Sequence, residues 1–229
     1  MARRLGVLVV GLAVAGLWGC SRVEAQPEGT GGAGSEGIGV FDRAGTGGAE
    51  AFDETAAALA RATVTVGGRC AGVVATGGVH VVTAAHCLME HEDAVPLALH
   101  DGTPAMGVVA HVDREADVAV LFLESPVAID GLSFSDELPD EGSAAYFAGR
   151  FDRGATLQAI MVERLAPCPS LPGVPRALHT SLRGVPGDSG APVVDGDLRV
   201  VGLVHGGARC SIAAPTHGVP AMLELLSPQ

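Results

Sequence analysis

Short apolar runs recur along the chain from Thr63 onward, with Gly, Pro, Ser and acidic residues between them. The runs are "TVTV", "AGVVA", "VHVVTA", "PLALH", "MGVVAHV", "VAVLFL", "AAYFAG", "TLQAIMVE", "APVV" and "LRVVGLVH". Segments of this length, rich in β-branched residues and bounded by turn formers, predict strands, and many of them at short intervals predict an all-β barrel or sandwich. Helical patterning is expected only around Glu54 to Arg61 and in "PAMLELLS" near the C-terminus, a short helix. No internal repeat is visible in the sequence. The stretch from about Thr55 to Gln229 has the usual size of one domain built on one core.

The N-terminus follows a different pattern. Arg3 and Arg4 precede an apolar stretch from Leu5 to Trp18, the form of a secretory signal and too short for a permanent membrane span. The stretch closes on "LWGC", which resembles a bacterial lipobox. That resemblance implies that residues 1–19 are a signal peptide and that Cys20 is lipidated as the first residue of the mature chain. Residues 20–54 then comprise the lipid-attachment cysteine and a Gly-rich, acidic tether with almost no apolar periodicity. Fully disordered, such a tether reaches about 25 to 35 Å, enough to hold a domain clear of a membrane. The implied location is the cell envelope, on its periplasmic or cell-surface face; without lipid on Cys20 the chain is secreted. Exported chains can form disulfides, and setting Cys20 aside leaves Cys70, Cys87, Cys168 and Cys210, an even set that allows two.

Charge and composition narrow the partners. A formal charge of -12 supplies no basic footprint for nucleic acid. Aromatic residues make up 3% of the chain and its one Trp lies in the leader, so no stacking platform for bases is in view. No metal-ligand spacing or acidic Ca²⁺ loop stands out, so neither a metal nor a cofactor is expected. A monomer is expected.

Three stretches carry chemistry. "TAAHC" sets His86 between a small-residue turn and a cysteine, and "EADVAVLFL" sets Asp117 immediately ahead of a near-continuous apolar strand, where a carboxylate can be partly buried and hydrogen-bonded. "GVPGDSGAPVV" sets Ser189 in a Gly-flanked turn. Glycines there allow conformations that a Cβ forbids, so the amides of Gly187 and Ser189 can point at one spot. Such a pair stabilises an oxyanion, by about 3 to 4 kcal/mol per donor in a transition state. A carboxylate, an imidazole and a hydroxyl are the groups that a nucleophilic serine requires.

"TAAHC", "DVAVL" and "GDSGAP", in that chain order, resemble the chymotrypsin/trypsin-like serine peptidases over about residues 62–225. The resemblance implies two six-stranded antiparallel β-barrels with the active site between them, a polypeptide substrate, and peptide hydrolysis through an acyl-enzyme. It implies His86 as general base, Asp117 as its carboxylate partner, Ser189 as nucleophile, and the Gly187 and Ser189 amides as oxyanion hole. It also implies a Cys70–Cys87 disulfide closing the loop ahead of the histidine, a cross-link worth roughly 3 kcal/mol. A second reading is a catalytically silent member of the fold used for binding, against which the complete set of three residues argues.

The chain also departs from that family. The family's cysteine four residues before the nucleophile is Val185 here, which leaves Cys168 as the partner for Cys210. No "IVGG"-like start is present to supply a new N-terminus for Asp188, so an internal partner is expected, with Arg150 a candidate. "LVHGG" puts His205 about where the family has a serine that bonds the catalytic aspartate. His205 is read either as a polar wall residue or, with Arg183 and Gly207, as lining the S1 pocket. Arg183 argues against Arg or Lys at P1, because like charges would be buried together. An acidic P1 residue, held by Arg183 and His205, and an apolar one, in an open Gly-lined pocket, both stay in view.

Overall fold

The computed structural model describes residues 46–88, 93–150, 154, 156–206 and 210–227, all within one compact unit, Arg43–Gln229. The expected leader, Cys20, most of the expected tether and Gly207 lie outside the described residues.

Helix α1 (Thr46–Ala62) leads into β1 (Thr63–Val66), β2 (Cys70–Val74) and β3 (His80–Thr83). A single 3-10 turn (Ala85–Leu88) then precedes β4 (Ala94–Ala98), β5 (Pro104–Asp113) and β6 (Val118–Leu123). The second half holds β7 (Ala144–Phe147), β8 (Gln158–Ala166), β9 (Ala177–Thr180), β10 (Pro192–Val194), β11 (Val200–Val204), β12 (Ile212–Pro215) and the short helix α2 (Val219–Leu226). The strands form two closed antiparallel barrels, ordered β1-β2-β3-β6-β5-β4 and β7-β8-β9-β12-β11-β10. The expected architecture is present. The second order is the first shifted by six strands, so the fold repeats although the sequence does not.

Adjacent residues serve different cores. Val74, Val81 and Leu121 fill the first barrel, whereas their chain neighbours Val73, Val82 and Val120 pack between the barrels against Leu132, Val194, Val200 and Leu203. Side chains alternate along a strand, and here both faces are covered. That is why β6 reads as a continuous apolar run and not as an alternation. The second barrel repeats the device, with Val193 and Val201 inside it and Val194 and Val200 at the interface. Leu59 of α1 and Val219 of α2 cap the interface layer.

Three elements differ from expectation. Helix α1 begins at Thr46 and not near Glu54, because Ala49, Glu50 and Ala51 continue a helical run that the surrounding glycines mask. The pattern does not mark β9, "ALHT", or β12, "IAAP". Each is hydrogen-bonded on both sides and buried at every position, so pairing decides their state.

His80 opens β3 with only 3% exposure, its ring edge against Phe122 and its Nε2 without a partner. Burial lowers its pKa from 6.5, opposed by the Leu226 backbone. Below about 6.5 the unfolded chain binds a proton that the folded chain refuses, so stability falls as pH drops from there toward the lowered folded value. Urea unfolding at several pH values between about 7.5 and 5 is expected to show a shallower acid-side loss for His80→Leu than for wild type. Equal slopes would remove His80 as the source.

Candidate active site

The 3-10 turn after β3 presents His86, and the turn before β6 presents Asp117. Asp117 has φ 56°, in the left-handed region that few non-glycine residues adopt. Its carbonyl accepts from the Ala85 amide at 3.2 Å, and its carboxylate receives the His86 amide at 2.9 Å on Oδ1. His86 Nδ1 lies 2.8 Å from Oδ2 and 3.1 Å from Oδ1. The side chain and both flanking backbones are thereby held as one unit. With Nδ1 engaged by the carboxylate, Nε2 is the nitrogen left to take a proton.

Ser189 comes from the other half of the chain, and backbone contacts set it on β2, beside the Cys87 sulfur. Its carbonyl accepts from Ala71 of β2 at 2.8 Å, and the next amide, Gly190 N–H, donates to Val204 of β11 at 2.7 Å. Cys87 Sγ, one residue from His86, lies 3.8 Å from the Ser189 carbonyl. Gly190 has φ +82°, and a Cβ there would fall 2.2 Å from the Ala71 carbonyl and 2.5 Å from the Thr83 hydroxyl. Only glycine lets this turn lie flat on the first barrel. Among the described residues no protein acceptor takes the amides of Gly187 or Ser189, and Gly187 has φ 106°.

Asp188 is buried, and its carboxylate accepts from the Val185 amide at 2.7 Å and the Arg150 amide at 3.1 Å. Arg150 thus meets it through the backbone, while the Arg150 guanidinium donates to the Gly68 carbonyl. Disulfides join Cys70 to Cys87 and Cys168 to Cys210.

His205 corrects an expectation. Its Nδ1 bonds Asp117 Oδ2 in a short contact, and its Nε2 bonds the Ser170 carbonyl at 3.0 Å. With both nitrogens committed, the ring offers no donor to an S1 pocket. Arg183 is exposed, pairs through its backbone with Gln158, and borders a polar cleft with Glu163, His179 and Ser211. An acidic P1 residue therefore does not meet the His205 ring, which weakens that reading. Ser170 was not anticipated. It contributes a backbone oxygen, which no side-chain pattern reports, and the nearby Cys168 is the one sequence signal beside it.

Burial alone would raise the Asp117 pKa, but the hydrogen bonds from His205 and His86 and the His86 charge outweigh it and hold the carboxyl at about 2. The same Asp117 hydrogen bond raises His205 against the effect of burial. His86, Asp117 and His205 bring ligand atoms within 4.8 Å of one another. A divalent cation there would compete with protons for the same lone pairs. Cys70 and Cys87, which also approach His86, are spent in their disulfide.

A family model described as a trypsin-like peptidase domain matches residues 70–203. Among solved structures, the Rv3671c protease in an inactive form is similar, with a TM-score of 0.61 and 21% identity over 79% of this chain and 96% of that one. That likeness is one of fold. A search of curated proteins finds no match.

Proposed function

The chain belongs to the trypsin-like peptidase family, and on that premise we propose that it is a serine endopeptidase working through His86, Asp117 and Ser189. The observation that carries the reading is the His86–Asp117 pairing with the Ser189 backbone clamped beside it. Ser189 Oγ attacks the scissile carbonyl carbon while His86 Nε2 takes the hydroxyl proton. The Gly187 and Ser189 amides receive the oxyanion. Collapse of the intermediate breaks the C–N bond, and His86 returns the proton to the departing amine. Water then hydrolyses the Ser189 ester with His86 again as base. Asp117 holds the imidazole and stabilises its charged form without itself taking the proton.

The domain is further proposed to be tethered outside the cytoplasm by lipid on Cys20, on the strength of the leader pattern and "LWGC". One experiment tests both parts. A fluorophosphonate probe, whose phosphorus Ser189 attacks with loss of fluoride, is expected to label the wild-type chain in the membrane fraction. Ser189→Ala is expected to abolish labelling, and Cys20→Ser to move the labelled chain to the soluble fraction. Labelling that persists without Ser189 rejects the nucleophile; unchanged fractionation without Cys20 rejects the anchor.

A further inference from the structure

We propose that His205 is a positioning residue that works as a doubly protonated imidazolium, clamping the Asp117 carboxylate alongside His86. The inference rests on the peptidase reading above for its catalytic consequence, and on His205's two hydrogen-bond partners for the rest.

A neutral imidazole has one N–H and one lone pair. His205 faces two acceptors: the Asp117 carboxylate at Nδ1 and the Ser170 carbonyl at Nε2. A carbonyl cannot donate, so Nε2 carries a proton. Asp117, already receiving the amide and ring of His86, is a carboxylate and also only accepts. Nδ1 therefore carries a proton as well, and the upward displacement of the His205 pKa accords with this.

The Ser170 carbonyl is held for the purpose. Its turn is closed by the Leu171 amide on the Cys168 carbonyl at 2.9 Å, and the Cys168–Cys210 disulfide ties the turn to the chain just ahead of β12. Leu171 and Val174 pack on Ile212 and Ala214. Gly173 meets the loop that carries Asp117 so closely that a Cβ would fall 2.6 Å from the Glu115 carbonyl. The acceptor on each side of His205 is thus fixed to the same pair of touching loops.

The titratable groups facing His205 among the described residues are Asp117 and His86; the 168–171 turn offers it only the Ser170 carbonyl. The His86 and His205 rings lie edge to face with centroids 5.2 Å apart. When His86 accepts the Ser189 proton, two cations share one carboxylate. Held from both sides, the Asp117 carboxylate keeps its aim at His86 Nδ1 through that transfer.

The test uses the mature full chain labelled with ¹⁵N-histidine, with the His205 ring assigned through bonds from its own backbone. Both ring nitrogens are expected to be protonated at about pH 6. In His205→Ser kcat is expected to fall by about tenfold, with KM within about threefold of wild type, because the ring contacts Asp117 and not substrate. A structural role alone would not require the second ring proton. A ring with one bare nitrogen at about pH 6, or an unchanged kcat in the variant, overturns the proposal. Failure of the peptidase reading shows separately as absent fluorophosphonate labelling of wild type, and leaves the ring measurement intact. If the variant does not fold, the wild-type ring alone decides.

Discussion

Ser189→Ala is expected to lower kcat for peptide hydrolysis by about a million-fold, His86→Ala to a similar level, and the double variant to be little worse than either. The reason is that the proton transfer and the nucleophilic attack are one event. Without His86 the Ser189 hydroxyl has no acceptor for its proton, and without Ser189 the base has nothing to activate. Residual hydrolysis above the uncatalysed rate then reports the Gly187 and Ser189 amides and substrate binding. Steady-state hydrolysis of a fluorogenic peptide, with thermal unfolding run alongside to show that each variant is folded, measures this. Losses that multiply in the double variant, or single losses below about a hundred-fold, would mean that the two residues do not act as a unit.

Removing the Cys168–Cys210 bridge by serine substitution at both positions lowers stability by about 4 kcal/mol, and removing Cys70–Cys87 by about 3. The order follows from loop length: the first bridge spans 42 residues and the second 17, and a cross-link that closes a longer loop removes more entropy from the unfolded chain. For a domain of this size the melting temperature should fall by roughly 8 to 16 °C for the larger loss. Paired urea and thermal unfolding of the two double variants checks the ranking. If Cys70–Cys87 proves the costlier bridge, native packing around β2 and His86, and not chain entropy, governs these cross-links.

Much of the architecture is legible before any folding is considered. Strands such as β1, β3 and β6 declare themselves because β-branched runs and turn residues act over a few neighbours. The motif residues His86, Asp117 and Ser189 stand in local contexts that chemistry recognises, a turn after one strand, the entry to another, and a Gly-flanked bend. Strands β9 and β12 are different. Ala-Ala-Pro has little intrinsic strand preference, and "IAAP" becomes a strand because β11 and β9 offer it hydrogen bonds on both edges. The twofold repetition of strand order is likewise silent in the sequence, since barrel closure depends on pairing order and not on residue identity.

The site divides the same way. Residue types, the even cysteine set and the expectation of an export leader follow from the sequence by itself, because each is read from neighbours within a few positions. Which way the His205 ring turns does not. Its partners are 88 and 35 residues away, and its place just after β11 is compatible with either a pocket wall or a clamp on Asp117. The left-handed backbone of Asp117, the glycine contact that lays Ser189 on the first barrel, and the Ser170 carbonyl held by the Cys168 turn decide it together. A hydrogen bond is directional over about 3 Å, so only the tertiary arrangement that brings those groups within that range can choose the ring's partners.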